Sequence, residues 1–390
     1  MKKLIVIIGL ITAMLSLTAC SSEKSAGSYY DDGIAALEKG QYEDACRNFE
    51  KAIGLKDDKA IYYIEYGQAL TKIGDYEKAI EQYEKSIIDV DSSITNKNTK
   101  KALRGQGVAL YFLGKYEEAV KLFKQALDMD CVNDLNTDIR SYLGQCYVKQ
   151  DKYKEALGVY DALVKEVGTA LVYAQRGSIN ADAGNLEEAK KDFQKAISLE
   201  DKNYSLYLLY YEMLLQAGEE EAAKEILAKG ATIKPETTKD SLQLAEVKFY
   251  QEDYEGALAI LQGIATDIKE AYRLMGDVYY VTKDYNKAIE NYLTYIESNS
   301  TGVSSTSYLN LSSCYIALEE YDKAQSYVTL GLSAGDKISV KELQYNEVLV
   351  YEQLGDFNTA YEKAEEYVKA YPEDENMQRE LVFLSTRYNK

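Results

Sequence analysis

Histidine and tryptophan are absent from the 390 residues, and only two prolines and five cysteines occur. Without His there is no Ser-His-Asp or Cys-His nucleophile activation, no imidazole general base and no imidazole metal ligand, which removes most routes to hydrolytic catalysis. Cations are also in deficit: 45 Lys and Arg face 64 Asp and Glu, a net charge of −19. Nucleic-acid affinity comes largely from Lys and Arg displacing counterions, so a polyanion of this size argues against a nucleic-acid partner and against attraction to anionic headgroups. The scarcity of proline points to something present. With 46% hydrophobic residues and so few helix breakers, the chain reads as long uninterrupted helices rather than the roughly two or three ~150-residue domains that length alone suggests. A helical repeat array is the first reading to test.

Residues 1–19 have the build of an export signal. Lys2 and Lys3 precede the 16 uncharged residues Leu4 to Ala19, too few for the ~20 that span a bilayer as a helix. The tetrad Leu17-Thr18-Ala19-Cys20 resembles the lipobox of bacterial lipoproteins. That resemblance implies cleavage before Cys20, a covalent diacylglycerol and an N-acyl chain on Cys20, and no other cofactor. It also implies residence on the extracytoplasmic face of the cell membrane, or on the outer membrane of a Gram-negative cell. An ordinary signal peptide and an uncleaved anchor are the alternatives. Two acyl chains anchor stably where one does not, so the membrane is met through the lipid alone. Residues 20–28 are small and polar and read as a flexible tether, reaching at most ~28 Å beyond Cys20. Loss of Lys2 and Lys3 takes the net charge from −19 to −21.

From about Tyr29 onward, helix-period apolar residues come in paired segments, and the second segment of each pair carries an Ala followed four residues later by an aromatic or aliphatic. These alanines are 45, 79, 119, 156, 189, 223, 257, 288, 324 and 360, spaced 31 to 40 residues apart with a mean of 35. Small residues recur in the first segments at Gly33, Gly67, Gly107, Gly144, Gly177, Ala245 and Gly276, and Gly40, Gly74, Gly114 and Gly355 mark turns. The pattern resembles the tetratricopeptide repeat over residues 29–372, with the small residue at slot 8, the turn Gly near slot 15, Ala at slot 20 and Pro235 and Pro372 at slot 32. The resemblance implies an all-α, right-handed superhelical solenoid of about ten helix hairpins. Residues 373–390 would form a C-terminal solvating helix, N-capped by Asp374 and striped with Met377, Leu381, Leu384 and Tyr388. Slot 8 is larger in three units, as Tyr211, Ser312 and Val348, so these later units should pack less ideally. The stretches Asp89 to Asn98 and Ser298 to Ser307 are the expected bends.

Candidate chemistry is sparse. Gly105-Gln106-Gly107 opens like a dinucleotide motif but sits inside a helical segment without a preceding strand, so packing accounts for it. Asp128, Asp130, Asn133, Asp134, Asn136 and Asp138 invite a calcium reading, yet Val132 and Asn133 break the EF-hand pattern, and no metal site is assigned. Cys46, Cys131, Cys146 and Cys314 read as small buried thiols. In the resembled family the concave groove is lined by slots 2, 5, 6, 9, 12 and 13 of each first helix. These slots select Arg104, Tyr111, Phe112, Tyr142, Gln145, Gln175, Phe249, Tyr250, Arg273 and Tyr280, several of them of the residue types that anchor interfaces. The carboxylate clamp of chaperone-binding relatives is not reproduced. A non-enzymatic, membrane-tethered scaffold holding a protein or peptide in that groove is the expectation; a lipoprotein binding a small ligand or cation through its acids is the alternative.

Overall fold

The computed structural model describes residues 24–87, 93–298, 303–336 and 338–388; the signal segment and Cys20 lie outside them. The described residues hold twenty-one α-helices and no strand. Twenty of the helices pair as antiparallel hairpins: α1 (Ala26–Glu38) with α2 (Tyr42–Leu55), α3 (Ala60–Ile73) with α4 (Tyr76–Ser86), α5 (Ser93–Phe112) with α6 (Tyr116–Asp128), and α7 (Asn136–Val148) with α8 (Tyr153–Glu166). Then follow α9 (Ala170–Asp182) with α10 (Leu186–Leu199), α11 (Tyr204–Gln216) with α12 (Glu220–Gly230), α13 (Thr238–Tyr250) with α14 (Tyr254–Ile264), and α15 (Glu270–Val281) with α16 (Tyr285–Ser298). The last pairs are α17 (Ser305–Ala317) with α18 (Tyr321–Leu332) and α19 (Val340–Gln353) with α20 (Phe357–Ala370), and α21 (Glu375–Ser385) closes the chain. They fall into two compact units, one ending at Asp192 and one beginning at Phe193, within α10.

One turn joins the helices of every hairpin. A backbone N–H just past the first helix donates to a carbonyl five residues back, from Gln41 N to Ala36 O at 2.9 Å through Asp356 N to Tyr351 O at 3.0 Å, and the bond recurs in all ten pairs. This closure needs one left-handed residue, which satisfies the orphan carbonyls of a helix end. Glycine supplies it at 40, 74, 114, 184, 218 and 355, whereas Asp151, Glu252, Lys283 and Glu319 adopt it at φ 55°, 61°, 64° and 59°.

The ten slot-20 alanines are all fully buried, at 0% exposure. Slot 8 receives the residue at slot 24 of the same hairpin: a Cβ added to Gly33, Gly67, Gly107, Gly144 or Gly276 would stand 2.5–2.9 Å from the ring of Phe49, Tyr83, Phe123, Tyr160 or Tyr292. The expectation of poorer packing in later units is corrected by this pairing. As slot 8 grows, slot 24 shrinks: Ala245 is matched by Leu261, Ser312 by Val328, and Val348 by Ala364, all buried. Summed volume is kept, so packing density is kept. Tyr211 opposite Leu227 departs from the rule, and its ring turns toward Tyr250 instead, at 5.3 Å. Gly105 answers to the preceding hairpin, since a Cβ there would lie 2.3 Å from the Tyr83 ring.

Three boundaries differ from the sequence reading. Ser298 ends α16 and Ser305 to Ser307 begin α17, inside the stretch expected to bend. The first helix starts at Ala26, inside the segment read as tether, because the Ser25 hydroxyl accepts from Ser28 N and caps it. Ser93 to Asn98, read as part of a bend, begins the 20-residue α5, with 88–92 outside the described residues. At the other end, Asp374 accepts from Asn376 N and Met377 N at 3.1 Å, Met377 and Leu384 are fully buried, and the tilted rings of Tyr361 and Tyr388 meet at 4.4 Å.

Candidate protein-binding face

Within each unit, successive first helices touch, as α3 with α5 and α13 with α15, while successive second helices make no comparable contact. The first helices therefore form the tighter, inner face of each unit. Large apolar side chains stay exposed there: Phe112 at 51% and Leu171 at 62% in the first unit, Leu209 and Leu215 at 41% and Val281 at 43% in the second.

The first unit gathers four of the expected groove residues into one patch. Phe112 stacks on Tyr76 at 5.2 Å, and Tyr111 meets Phe112, Tyr116 and Tyr142 at 5.4–5.7 Å. The Arg104 guanidinium lies over the Tyr142 ring at 5.7 Å, and its Nε donates to Asp138 Oδ2 at 2.7 Å. A cavity of about 360 Å³ opens between them, lined also by Gln68, Thr71, Lys72 and Tyr83. Gln145 Nε2 donates to Ser141 Oγ at 3.4 Å, and Gln175 sits half-buried on α9. Tyr111 is largely packing, half-covered by the core beneath it, so Phe112 is the more available anchor.

In the second unit, Phe249, Tyr250 and Tyr211 form a chain of ring contacts at 5.3–5.5 Å, and Tyr280 meets Tyr285 at 5.9 Å. Arg273 pairs with Asp277 at 2.6 Å. Asp277 also accepts from Tyr292 Oη at 2.7 Å and Asn310 Nδ2 at 3.1 Å. Burial nevertheless holds its carboxyl above the usual carboxylate range, partly offset by Arg273 and these donors. Burial raises Glu246 as well, with the charges of Glu212 and Asp277 acting in the same direction and Arg273 against. A second cavity of about 410 Å³, toward the C-terminus, is lined by Tyr280, Asn310, Ser313, Lys341, Tyr345 and Asn346 among others.

The sequence reading missed Lys72, Leu209, Leu215, Val281 and the carboxylates Glu212, Glu246 and Asp277. Aromatic and Arg side chains are the usual interface anchors and none of these residues is one, but the three acids occupy slot 9 of consecutive units and are legible there.

The acidic loop between α6 and α7 is occupied by the chain's own cations. The fully buried Lys100 ammonium donates to Met129 O at 2.9 Å and Asn136 Oδ1 at 2.8 Å, while Arg104 holds Asp138. Among the described residues, no group of three or more carboxylates or thiols is arranged to hold a metal ion, and no helix is long and apolar enough to cross a membrane. Cys46, Cys131, Cys146 and Cys314 are free; Cys146 and Cys314 are buried as expected, whereas Cys46 and Cys131 are only partly covered. Burial pushes the Cys146 and Cys314 thiols up to about 12, which leaves them as inert core residues.

Tetratricopeptide repeat family models match residues 58–131, 104–170, 170–203 and 305–334, in register with the hairpins above. The chain is a tetratricopeptide repeat protein. It is 22% identical over 325 residues to a TPR repeat-containing protein of Methanocaldococcus jannaschii, covering 76% of this chain and 55% of the relative. It is 26% identical over 211 residues to the Hsp70-Hsp90 organizing protein of Triticum aestivum, covering 47% of this chain and 35% of that one. This repeat protein thus spans between a third and just over half the length of these curated relatives. A tetratricopeptide repeat protein from Parabacteroides merdae of known structure is 16% identical, with 65% of this chain and 98% of that chain covered and a TM-score of 0.45. As a tetratricopeptide repeat protein, the chain is of the interaction-scaffold type.

Proposed function

We propose that this protein is a non-enzymatic interaction scaffold tethered by a lipidated Cys20 to the extracytoplasmic face of a bacterial membrane, holding a protein or peptide segment against the inner faces of its repeat units. One observation carries the binding half of the reading: Phe112, 51% exposed on an inner helix, belongs to a contiguous aromatic patch with Tyr76, Tyr111 and Tyr142, the kind of surface that marks an interaction site, and Leu171 and Leu209 are exposed on other inner helices. The sequence Leu17-Thr18-Ala19-Cys20 after a basic, then uncharged leader supports the tether. A wheat relative named for organising Hsp70 and Hsp90 is in keeping with a scaffold.

Both halves are tested in cells producing the full chain. Labelled palmitate should enter the wild-type protein, and Cys20→Ser should abolish both the label and sedimentation with membranes. Affinity purification from solubilised membranes should recover a partner whose yield falls several-fold in Phe112→Ser combined with Leu209→Ser. An unlabelled wild-type chain removes the tether, and a partner retained at full yield by the double variant removes the inner face.

A further inference from the structure

Three adjacent inner helices of the second unit, α11, α13 and α15, carry two parallel rows. One row is apolar: Leu215, Phe249 and Tyr280, each at slot 12 of its helix. The other is acidic: Glu212, Glu246 and Asp277, each at slot 9. The acids come from different helices yet share one face, because α11 packs on α13 and α13 on α15 and the rings of Tyr211 and Tyr250, close to Glu212 and Glu246 in the chain, touch at 5.3 Å. Arg273 is paired with Asp277, and within the described residues neither Glu212 nor Glu246 has an ion-pair or hydrogen-bond partner.

We propose that this face docks a basic amphipathic segment of a partner protein, whose apolar side chains lie along Leu215, Phe249 and Tyr280 while its Lys or Arg side chains meet Glu212 and Glu246. The inference rests on the interaction-scaffold reading and names the chemistry of the partner. Leu215, exposed at 41%, and the open edges of the half-buried Phe249 and Tyr280 supply the contact area, and the charges choose the occupant. An acidic or neutral segment would bury Glu212 and Glu246 against an apolar surface with no counter-charge, which is costly. A Lys or Arg removes that cost and gains the faces of Tyr211 and Tyr250 beside it. A metal ion does not answer the same need, because the three carboxylates are not gathered closely enough to hold one. The matching cation must be spread along a chain.

The test is fluorescence anisotropy with the full chain and a short fluorescein-labelled amphipathic Leu/Lys peptide. Binding should be saturable and weaken by about tenfold in Glu212→Gln with Glu246→Gln, as for loss of paired interfacial charges. Glu117→Gln with Glu118→Gln, which removes equal charge from exposed α6 of the other unit, should weaken it by less than about twofold. Equal weakening by both pairs would reduce the effect to general attraction by a polyanion, and equal binding of the Leu/Glu analogue would refute the charge complement. Absence of binding also overturns the proposal. If the peptide fails while a co-purified partner still depends on Phe112 and Leu209, only the basic-segment inference falls; loss of both takes the scaffold reading with it.

Discussion

The two units obey one packing rule and present different inner faces. In the first, the cavity beside Phe112 and Tyr142 is lined by Lys72 and by Arg104, which is paired with Asp138; in the second, Glu212, Glu246 and Asp277 occupy slot 9 of three adjacent inner helices, with Arg273 paired to Asp277. Their slot-20 alanines are identically buried. The difference teaches where freedom lies in a repeat array. Positions between helices are constrained by volume, because interiors are close-packed, whereas inner-face positions contact solvent or a partner and can change sign without unfolding anything. The units also differ in how they make their turns: glycine takes the left-handed position in four of five hairpins up to Asn185, but Glu252, Lys283 and Glu319 take it in three of the five that follow.

The strongest way to break the common rule is to violate slot pairing in the first unit with the second unit's solution. Gly107→Ala drives a Cβ into the Phe123 ring and should cost about 1–3 kcal/mol. Phe123→Leu should cost a similar ~1–3 kcal/mol by leaving space. Together they reproduce the pairing of Ala245 with Leu261, so the double variant should recover at least about 1 kcal/mol of the summed loss. Additive losses in a denaturant double-mutant cycle would show that slots 8 and 24 are not coupled.

A smaller effect is expected from exchanging turns. Lys283→Gly relieves a left-handed side chain at φ 64° and should stabilise by about 0.5–1 kcal/mol, and Gly74→Ala should destabilise by about as much. Thermal melting reads both; a lower melting point for Lys283→Gly would mean that the turn is not strained.

The smallest concerns the acidic face. A carboxyl whose folded pKa is raised favours folding while protonated, below its unfolded value of ~4.3, and loses that contribution as pH rises through the folded pKa. Burial raises Glu246, so Glu246→Gln should melt above wild type at pH 7, with the gap closing as pH falls through the raised folded pKa and gone below ~4.3. A gap of constant size across that range would assign the effect to something other than ionisation.

Most of the fold was legible in the sequence because it is written in size and period. Alanines every 31 to 40 residues marked the ten crossings, and small residues facing aromatics marked the hairpins. The poorer packing expected at Ser312 and Val348 arose from reading slot 8 without slot 24, although Val328 and Ala364 were there to be read. Groove residues were legible as positions but not as roles: Tyr111 and Phe112 are neighbours in sequence, yet one is half-covered by the core and the other is 51% exposed.

What the sequence determined by itself is the repeat, since helix periodicity and side-chain volume are local properties that recur wherever the residues recur. What only the tertiary structure decided is which polar groups meet. Lys100 reaching Met129 and Asn136, Arg104 reaching Asp138, and Asn310 reaching Asp277 all join residues about thirty or more positions apart. Such meetings depend on how hairpins stack, and charge interactions depend on distance and burial, neither of which a one-dimensional pattern contains.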